Sequence, residues 1–577
     1  MAEREQSKPT VVEFAQTRSD VHGHVPASDA ASAGLARPHE VPLVASLAVA
    51  AVSGALLALP FTWLEHSSTA WFALAPILWL GAKAPTKKHA ALLAAVFFLV
   101  WTNLCLSFLW NIALPGAIAA SIYTSGVYVL AILGVRKMAT WGMANAVIGT
   151  AALWMIVEII RSVIPVLFFP WMLMGHALAD HDRLRQGADL FGVYGLSFIV
   201  VGINACLAFA LPRWLPEKWR VLPDATVKSS WNTTWLFLLL GVGGAWFYGE
   251  LRIEKISARL EEGDVIAVIQ GNVKQKLDRT DEQNQAQIDR HVELHREVVA
   301  RGRAEGAPPV LVCWAETMVP GFIDFDSYGV QFKQQVRDSG VMTLAGVNHR
   351  VPPINEGDEP IDRNAAIVYD GEAREIARYF KRRLVPFGEY IPFGDRYKFL
   401  RVLRSVTRDQ YLPGTEASPI IEAGTYRFAI NLCVEDVHPD IAQEGAWAGA
   451  DTLINLTNDG WFYGTFGPLA HMRAAIWRSI EVRRPMLRVT NTGRTVAIDP
   501  LGEATLLVEH ETEGTALVRL KRIGRSERTS AEKYTPGPIT LYMRLGDGGV
   551  ALMAALILFA CWYFAAKPEV KLEPAKI

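Results

Sequence analysis

Three runs in the second half of the chain end apolar stretches on groups that can do covalent chemistry. Val310-Leu-Val-Cys-Trp-Ala-Glu316 ends on an acid, Tyr379-Phe-Lys381 on an ammonium, and Ile430-Asn-Leu-Cys433 on a thiol. A free thiol near neutral pH is only a few per cent thiolate, so a nucleophilic cysteine needs a base to take its proton or a cation to lower its pKa. Glu316 can be that base and Lys381 that cation. The lysine can also donate to the oxyanion that forms when sulfur adds to a carbonyl. Each residue alone has an ordinary reading as well. A glutamate closing a strand is commonly a solvated or capping group, Lys381 sits in the basic run Lys381-Arg382-Arg383, and free cysteine is often a small buried hydrophobe. Cys313 beside Trp314, and Cys105, Cys206 and Cys561 inside apolar stretches, fit the last description. Five cysteines far apart, with no CxxC and no ligand-like spacing with histidine, indicate neither a disulfide framework nor a zinc site.

The elements that must position these residues follow from the distribution of apolar residues. The 577 residues allow several domains. Charged residues are 20%, apolar residues 51% and the mean hydropathy is +0.18, too apolar for an ordinary soluble enzyme or a disordered chain. The net charge of −1 gives no basic surplus for nucleic acid, and no nucleic-acid partner is expected. Residues 1–41 are polar, lack a signal-peptide pattern and are expected to form a disordered tail. Apolar segments near bilayer-crossing length follow at Pro42–Pro60, Thr69–Lys83, His89–Leu114, Ala117–Gly134, Met143–Val163, Phe191–Leu211 and Trp235–Gly249, with an eighth at Gly549–Ala566. Leu167–Met174, with Pro170, reads as a re-entrant or interfacial piece. Lys83, Lys87 and Lys88, then Arg136 and Lys137, then Arg213, Lys218, Arg220 and Lys228 follow alternate spans, while the loops after spans one and three carry no Lys or Arg. With basic loops cytoplasmic, both termini are cytoplasmic and the polar block faces outward; Lys567, Lys571 and Lys576 agree. The domains expected are a tail over 1–41, a seven-helix bundle over 42–250, a catalytic domain over 251–545, an eighth span over 549–566 and a tail over 567–577.

The outer block alternates β-branched apolar runs with amphipathic segments, the pattern of an α/β domain. Strands are expected at Asp264–Gln270, Pro309–Trp314, Met342–Val347, Arg363–Tyr369, Arg427–Leu432, Thr452–Leu456 and Met486–Thr490. A helix opened by Asp281 is expected to run to Glu305, and Val351–Asp362 reads as a surface loop. Glu158 and Arg161, one helical turn apart inside a span, are expected to form a structural pair.

The order Glu, Lys, Cys along an α/β block resembles the carbon–nitrogen hydrolase (nitrilase) superfamily and, within it, the apolipoprotein N-acyltransferase family. The resemblance rests on Val268-Ile-Gln-Gly-Asn272, Trp314-Ala-Glu316, Tyr379-Phe-Lys-Arg-Arg-Leu-Val-Pro-Phe-Gly-Glu-Tyr-Ile-Pro392, Cys433-Val-Glu435, Asn455-Leu-Thr-Asn-Asp-Gly-Trp-Phe462 and Arg484-Pro-Met-Leu-Arg-Val-Thr-Asn-Thr-Gly493. In the apolar half it rests on Trp154-Met-Ile-Val-Glu-Ile-Ile-Arg161 and Phe169-Pro-Trp171. It implies a polytopic helical membrane bundle of about eight spans fused to an αββα sandwich, in the bacterial inner membrane with the catalytic domain toward the periplasm. Glu316, Lys381 and Cys433 would be its catalytic triad, Glu389 the support of Lys381, and Glu435 the acid following the nucleophile. Trp461, Phe462 and Tyr463 would wall an acyl pocket, with core packing as the competing role. The implied reaction moves an acyl chain from a phospholipid, through a thioester on Cys433, to the α-amino group of a diacylated lipoprotein, with no cofactor or metal. A membrane-tethered amidase using the same triad, and a nonenzymatic lipid-binding scaffold, are the other readings. Val434 stands where the family usually has Tyr, and Asp278-Arg279 where it often has Trp; both aromatics are expected to serve substrate handling.

Overall fold

In the computed structural model the described residues are 42–111, 114–164, 169–210, 221, 224–275, 279–352, 360–394, 396–397, 411–524 and 537–566. Both expected tails, Asp278, Arg213, Lys218, Arg220 and the middle of the Val351–Asp362 loop lie outside them, as does the side chain of Lys228. The N-terminal half is helical: α1 Leu43–Ala58, α2 Ala75–Lys83, α3 Lys87–Cys105, α4 Leu114–Met138, α5 Met143–Val163, the short α6 Asp182–Arg185, α7 Ala188–Ala210 and α8 Asp224–Ser257. Then come β1 Leu260–Gln270, α9 Asp281–Ala304, β2 Leu311–Phe322, α10 Ser327–Ser339, β3 Thr343–Val351, β4 Ile361–Tyr369, β5 Glu375–Phe380, β6 Ile421–Ala423, β7 Tyr426–Leu432, α11 Pro439–Trp447, β8 Thr452–Thr457, α12 Gly467–Val482 and β9 Met486–Thr490. β10 Thr495–Ile498, β11 Ala504–Val508, β12 Gly514–Ile523 and α13 Leu541–Ala566 complete the chain.

Seven helices among the described residues are long and apolar enough to cross a membrane. The second expected span is different: Ser67–Trp71 is a 3₁₀ turn and α2 has only 9 residues, too short for a hydrocarbon core of about 30 Å at 1.5 Å per residue. Pro76, in the first turn of α2, fixes where that helix begins. Of the expected piece Leu167–Met174, residues 167–168 lie outside the described residues; 169–173 are irregular backbone, and backbone groups at Trp171 and Met174 are met by the two charged residues of α5. Glu158 Oε1 accepts from the Met174 amide at 2.7 Å and the Trp154 indole at 3.0 Å, and Arg161 Nη2 donates to the Trp171 carbonyl at 2.6 Å. The two therefore form no ion pair with each other among the described residues, contrary to the sequence expectation. Each instead pairs backbone that apolar surroundings would leave unsatisfied.

The outer domain holds two six-stranded sheets, ordered β12-β1-β2-β3-β4-β5 and β11-β10-β9-β8-β7-β6. Each is built on a parallel trio, β1-β2-β3 and β7-β8-β9, with antiparallel strands at its edges. β2, β8 and β9 meet face to face, α9 and α10 cover the first sheet, and α11 and α12 cover the second. The result is an αββα sandwich. Strands buried on both faces need continuous apolar runs, which is why the trio strands are legible in the sequence. Strands β6, β10, β11 and β12 were not anticipated, and of β5 only the end at Tyr379-Phe-Lys381 was; Glu375-Ile-Ala-Arg-Tyr-Phe380, with two of its six residues charged, carries no such run. The cap of α9 is Thr280 rather than Asp281: its hydroxyl accepts from the Gln283 amide at 3.3 Å, and the Gln283 side chain accepts from the Thr280 amide, a capping box.

One apolar core runs from the helical bundle into the outer layer of the second sheet, joining Trp101, Trp154 and Tyr194 to Met472, Trp477 and Ile480 of α12. A second fills the space between the sheets and under α9 and α10. Almost every residue of α12 is buried, because it lies between the sandwich and α7.

Candidate active site

The acid is delivered by a bulge. β2 pairs with β3 as Trp314↔Ala345 and then as Val319↔Val347, so five steps on β2 oppose two on β3. The surplus turns Glu316 inward, with Thr317 at φ +57° absorbing the kink. Gly346 makes room: a Cβ there would stand 2.4 Å from Glu316 Cα. Lys381 follows the last residue of β5, and its amide donates to the Asn364 carbonyl at 2.9 Å, which fixes it opposite Asn364. Cys433 follows the last residue of β7 and opens the 3₁₀ turn Cys433–Val437 at φ +50°, a left-handed conformation that is costly for a residue with a Cβ. Asn455 of β8, in register with Asn431, braces this turn by donating to the Cys433 carbonyl at 3.0 Å and to Asn431 Oδ1 at 2.7 Å.

Lys381, 1% exposed, bridges two carboxylates: its Nζ lies 2.8 Å from Glu316 Oε1 and 2.8 Å from Glu389 Oε1. Asn364 Nδ2 donates to the same two oxygens at 2.7 and 2.9 Å. Glu316 Oε2 accepts from the Asn458 amide at 2.9 Å, and Glu389 Oε2 from the Val385 amide at 2.8 Å. The third N–H of Lys381 has no partner among the described residues. Burial opposes the ammonium, but Cys433, Glu316 and Glu389 outweigh it and raise the Lys381 pKa well above the usual lysine value. Burial and then the Glu316 charge push the Cys433 thiol well up, against the pull of Lys381. Lys381 is thus held as the ammonium, while burial and the Glu316 charge disfavour a thiolate on Cys433.

Glu435 does not touch the reacting groups. It accepts from the Leu432 amide at 2.8 Å, the Arg382 and Arg383 amides at 2.7 and 3.0 Å, and the Tyr379 hydroxyl at 2.9 Å, tying the cysteine turn to the chain on both sides of Lys381. The three aromatic residues separate. Trp461 is 46% exposed, Phe462 packs edge-on against Phe108 of the bundle at 5.3 Å, and Tyr463 carries the Lys274 ammonium over its ring at 4.1 Å. Phe387, in the loop between Lys381 and Glu389, lies against Gly116 of α4. The site therefore sits where the sandwich meets the bundle. Arg279 is at the N-terminus of α9, bonded to Asn284 Oδ1 and the Gln283 carbonyl, each at 3.0 Å. Asn364, Asn455 and Asn458 were missed by the sequence reading. Asn364 lies in an apolar strand pattern where its polarity was the available signal; Asn455 and Asn458 lay in a quoted motif without a role.

Comparison with known proteins bears on both halves. Residues 53–206 match the apolipoprotein N-acyltransferase N-terminal domain, and residues 265–526 match carbon-nitrogen hydrolase. An apolipoprotein N-acyltransferase of Pseudomonas aeruginosa is 30% identical over 410 residues, 70% of this chain and 73% of the relative. The chain belongs to the apolipoprotein N-acyltransferase family. The Geobacter metallireducens member is 29% identical over 468 residues, 79% of this chain and 85% of its own. The Azotobacter vinelandii member is 34% identical over 357 residues, and the match spans 63% of that relative's length. Among solved structures, an amidase from Nesterenkonia sp. aligns with 45% of this chain and 91% of its own at 18% identity and a TM-score of 0.33, too slight a likeness to bear on activity.

Proposed function

We propose that this protein transfers an acyl chain from a membrane phospholipid to the α-amino group of the diacylglyceryl-cysteine at a lipoprotein N-terminus, by a ping-pong reaction through a thioester on Cys433. The observation that carries the reading is the buried Glu316–Lys381–Glu389 bridge, electrostatically coupled to a thiol on a left-handed turn. In the first half, Glu316 takes the Cys433 proton and the sulfur attacks the ester carbonyl. The free N–H of Lys381 donates to the oxyanion, an interaction that strengthens as negative charge develops. The C–O bond then breaks, the lysophospholipid oxygen takes the proton from Glu316, and the acyl group stays on sulfur. In the second half the amine attacks the thioester, Glu316 takes the amine proton, the C–S bond breaks, the released Cys433 sulfur takes that proton back from Glu316, and an amide forms. An α-amine with a pKa near about 8 is substantially neutral at working pH, which a lysine at about 10.4 is not.

Both substrates are lipid-anchored, and the junction of sandwich and bundle is a sensible address for them. Phe462 and Trp461 are assigned to the acyl pocket, with Phe462 backed by Phe108. The alternation of basic loops supports a bacterial inner-membrane protein with the sandwich on the periplasmic face. The test is intact-protein mass spectrometry of the detergent-purified enzyme after incubation with phospholipid. A hydroxylamine-labile acyl adduct is expected on the wild type and not on Cys433→Ala, and a diacylglyceryl-cysteine peptide should discharge it. An adduct lost to water equally fast without the peptide would make the protein a hydrolase, and no adduct would remove the thioester.

A further inference from the structure

Behind the cysteine turn, four side chains with no exposed surface form a closed polar cluster: Asp436, Asp459, His471 and Arg488. His471 Nε2 lies 2.8 Å from Asp436 Oδ1, and its Nδ1 lies 3.1 Å from Asp459 Oδ1 and 2.7 Å from Arg488 Nη2. Arg488 reaches both acids, with Nε 3.0 Å from Asp436 Oδ2 and Nη2 3.1 Å from Asp459 Oδ2. Arg488 is the middle residue of β9, a strand buried throughout, where an apolar residue would avoid the cost of desolvating a cation. A fold alone gains little from such an arrangement, so the partners of the cluster identify what it does.

Asp436 belongs to the turn that Cys433 opens, and Asp459 follows Asn458, the residue whose amide holds Glu316. The cluster thus joins the loop of the nucleophile to the loop that fixes the base, from two elements, β9 and α12, that carry neither. On its fourth side the Trp171 ring lies 5.5 Å from the His471 ring, so the helical bundle closes the cluster. The left-handed backbone at Cys433 is strained and persists only where its surroundings over-determine it. Asn455 and Glu435 brace residues 431–433 of the turn, Arg478 donates to the Val437 carbonyl, and the cluster supplies the brace at 436.

We propose that Arg488 and His471 are positioning residues for acyl transfer: they clamp the Cys433 turn to the Asn458 loop, so that thiol and base stay in register, while touching no reacting atom. This rests on Cys433 and Glu316 acting as nucleophile and base. A displacement on the order of 1 Å at such a pair costs on the order of a hundredfold in rate.

The test uses full-length enzyme in detergent, with single-turnover formation of the acyl adduct followed at varied phospholipid, and Cys433 alkylation followed against pH. The charges facing Cys433 are Glu316, Lys381, Glu389, Asp459 and Arg488; those facing His471 are Asp436, Asp459 and Arg488, with the Trp171 ring beside it. His471→Asn and the size-conserving Asp436→Asn are expected to slow adduct formation about a hundredfold at saturating phospholipid, with the half-saturating concentration unchanged. Arg488→Lys keeps the charge but lacks the fork that spans two carboxylates. It should lose rate similarly while keeping the alkylation profile, whereas Arg488→Gln should also move that profile to higher pH. Wild-type melting and elution qualify a variant as folded. Folded His471→Asn and Asp436→Asn enzymes that acylate within twofold of wild type, or that change only half-saturation, overturn the clamp. So does failure of all four variants to fold, which would make the cluster a folding device alone. An adduct that persists in Cys433→Ala instead removes the thioester reading and is a separate outcome.

Discussion

At the residue scale the chemistry depends on sharing one ammonium between two acids. Replacing Lys381 by Met leaves Glu316 and Glu389 facing Asn364 with no cation between them, and the oxyanion loses its donor. Adduct formation should fall by about 10²- to 10³-fold, read by single-turnover mass spectrometry. Asn364→Leu keeps the lysine but removes a donor shared by both acids, at a cost of about 1–3 kcal/mol in an enclosed site. It should slow the same step by roughly tenfold or more, and a wild-type rate would mean that Asn364 only fills space. The cysteine works from the opposite condition. Its thiol is held protonated, so iodoacetamide should alkylate Cys433 more slowly at pH 7 than it alkylates free cysteine, with the rate rising at alkaline pH.

At the element scale, the position of the base is a property of the β2 bulge and of the strand beside it. The Cβ of Gly346→Ala would meet Glu316 Cα at 2.4 Å and the Ala315 carbonyl at 2.7 Å, both backbone atoms that cannot swing aside. The bulge must shift, and Glu316 with it. Adduct formation should drop more than tenfold while the far-ultraviolet circular dichroism stays that of the folded protein. Neither effect is visible in the β2 sequence, where Glu316 and Thr317 interrupt the apolar run without showing that the strand resumes beyond them. The first half of β5 is likewise hidden, since Glu375 and Arg378 break the apolar run that leads to Lys381. Tertiary pairing with β4, not local propensity, makes it extended.

At the scale of the whole molecule, the sandwich is fixed to the bundle by buried charge as well as by the common apolar core. Asp189 of α7 accepts from Arg483 at 2.8 and 3.0 Å, from Arg252 and from the Tyr248 hydroxyl, joining α7, α8 and the end of α12. Arg483 has no exposed surface, so Asp189→Ala leaves a buried cation without its counter-charge. That should cost about 3–5 kcal/mol, measurable as a large fall in melting temperature in detergent. Acid should weaken the sandwich in a defined window. Burial lowers the His291 pKa from 6.5 to about 4, so below pH 6.5 the unfolded chain binds a proton that the folded protein refuses. Stability from this group is intact above pH 6.5 and is lost as pH falls toward 4, by about 3 kcal/mol. His291→Gln should flatten the melting curve between those pH values; an unchanged slope would mean that other groups dominate it.

Local sequence determined the apolar segments of spanning length, the strands of the two parallel trios, and the types of the acid, amine and thiol at strand ends. Those signals are local because a period, a run length or a residue type is set within a few positions. Only the tertiary structure decided that Glu316 and Lys381 from one sheet converge with Cys433 from the other, and that Glu389 and Asn364 complete the bridge. It also decided that Glu158 and Arg161 serve a loop rather than each other, and that Asp436, Asp459, His471 and Arg488 meet behind the nucleophile. Each of those outcomes depends on sheet register, a bulge or a helix packed from far along the chain. Residues brought together in that way carry no mark of it in their neighbours.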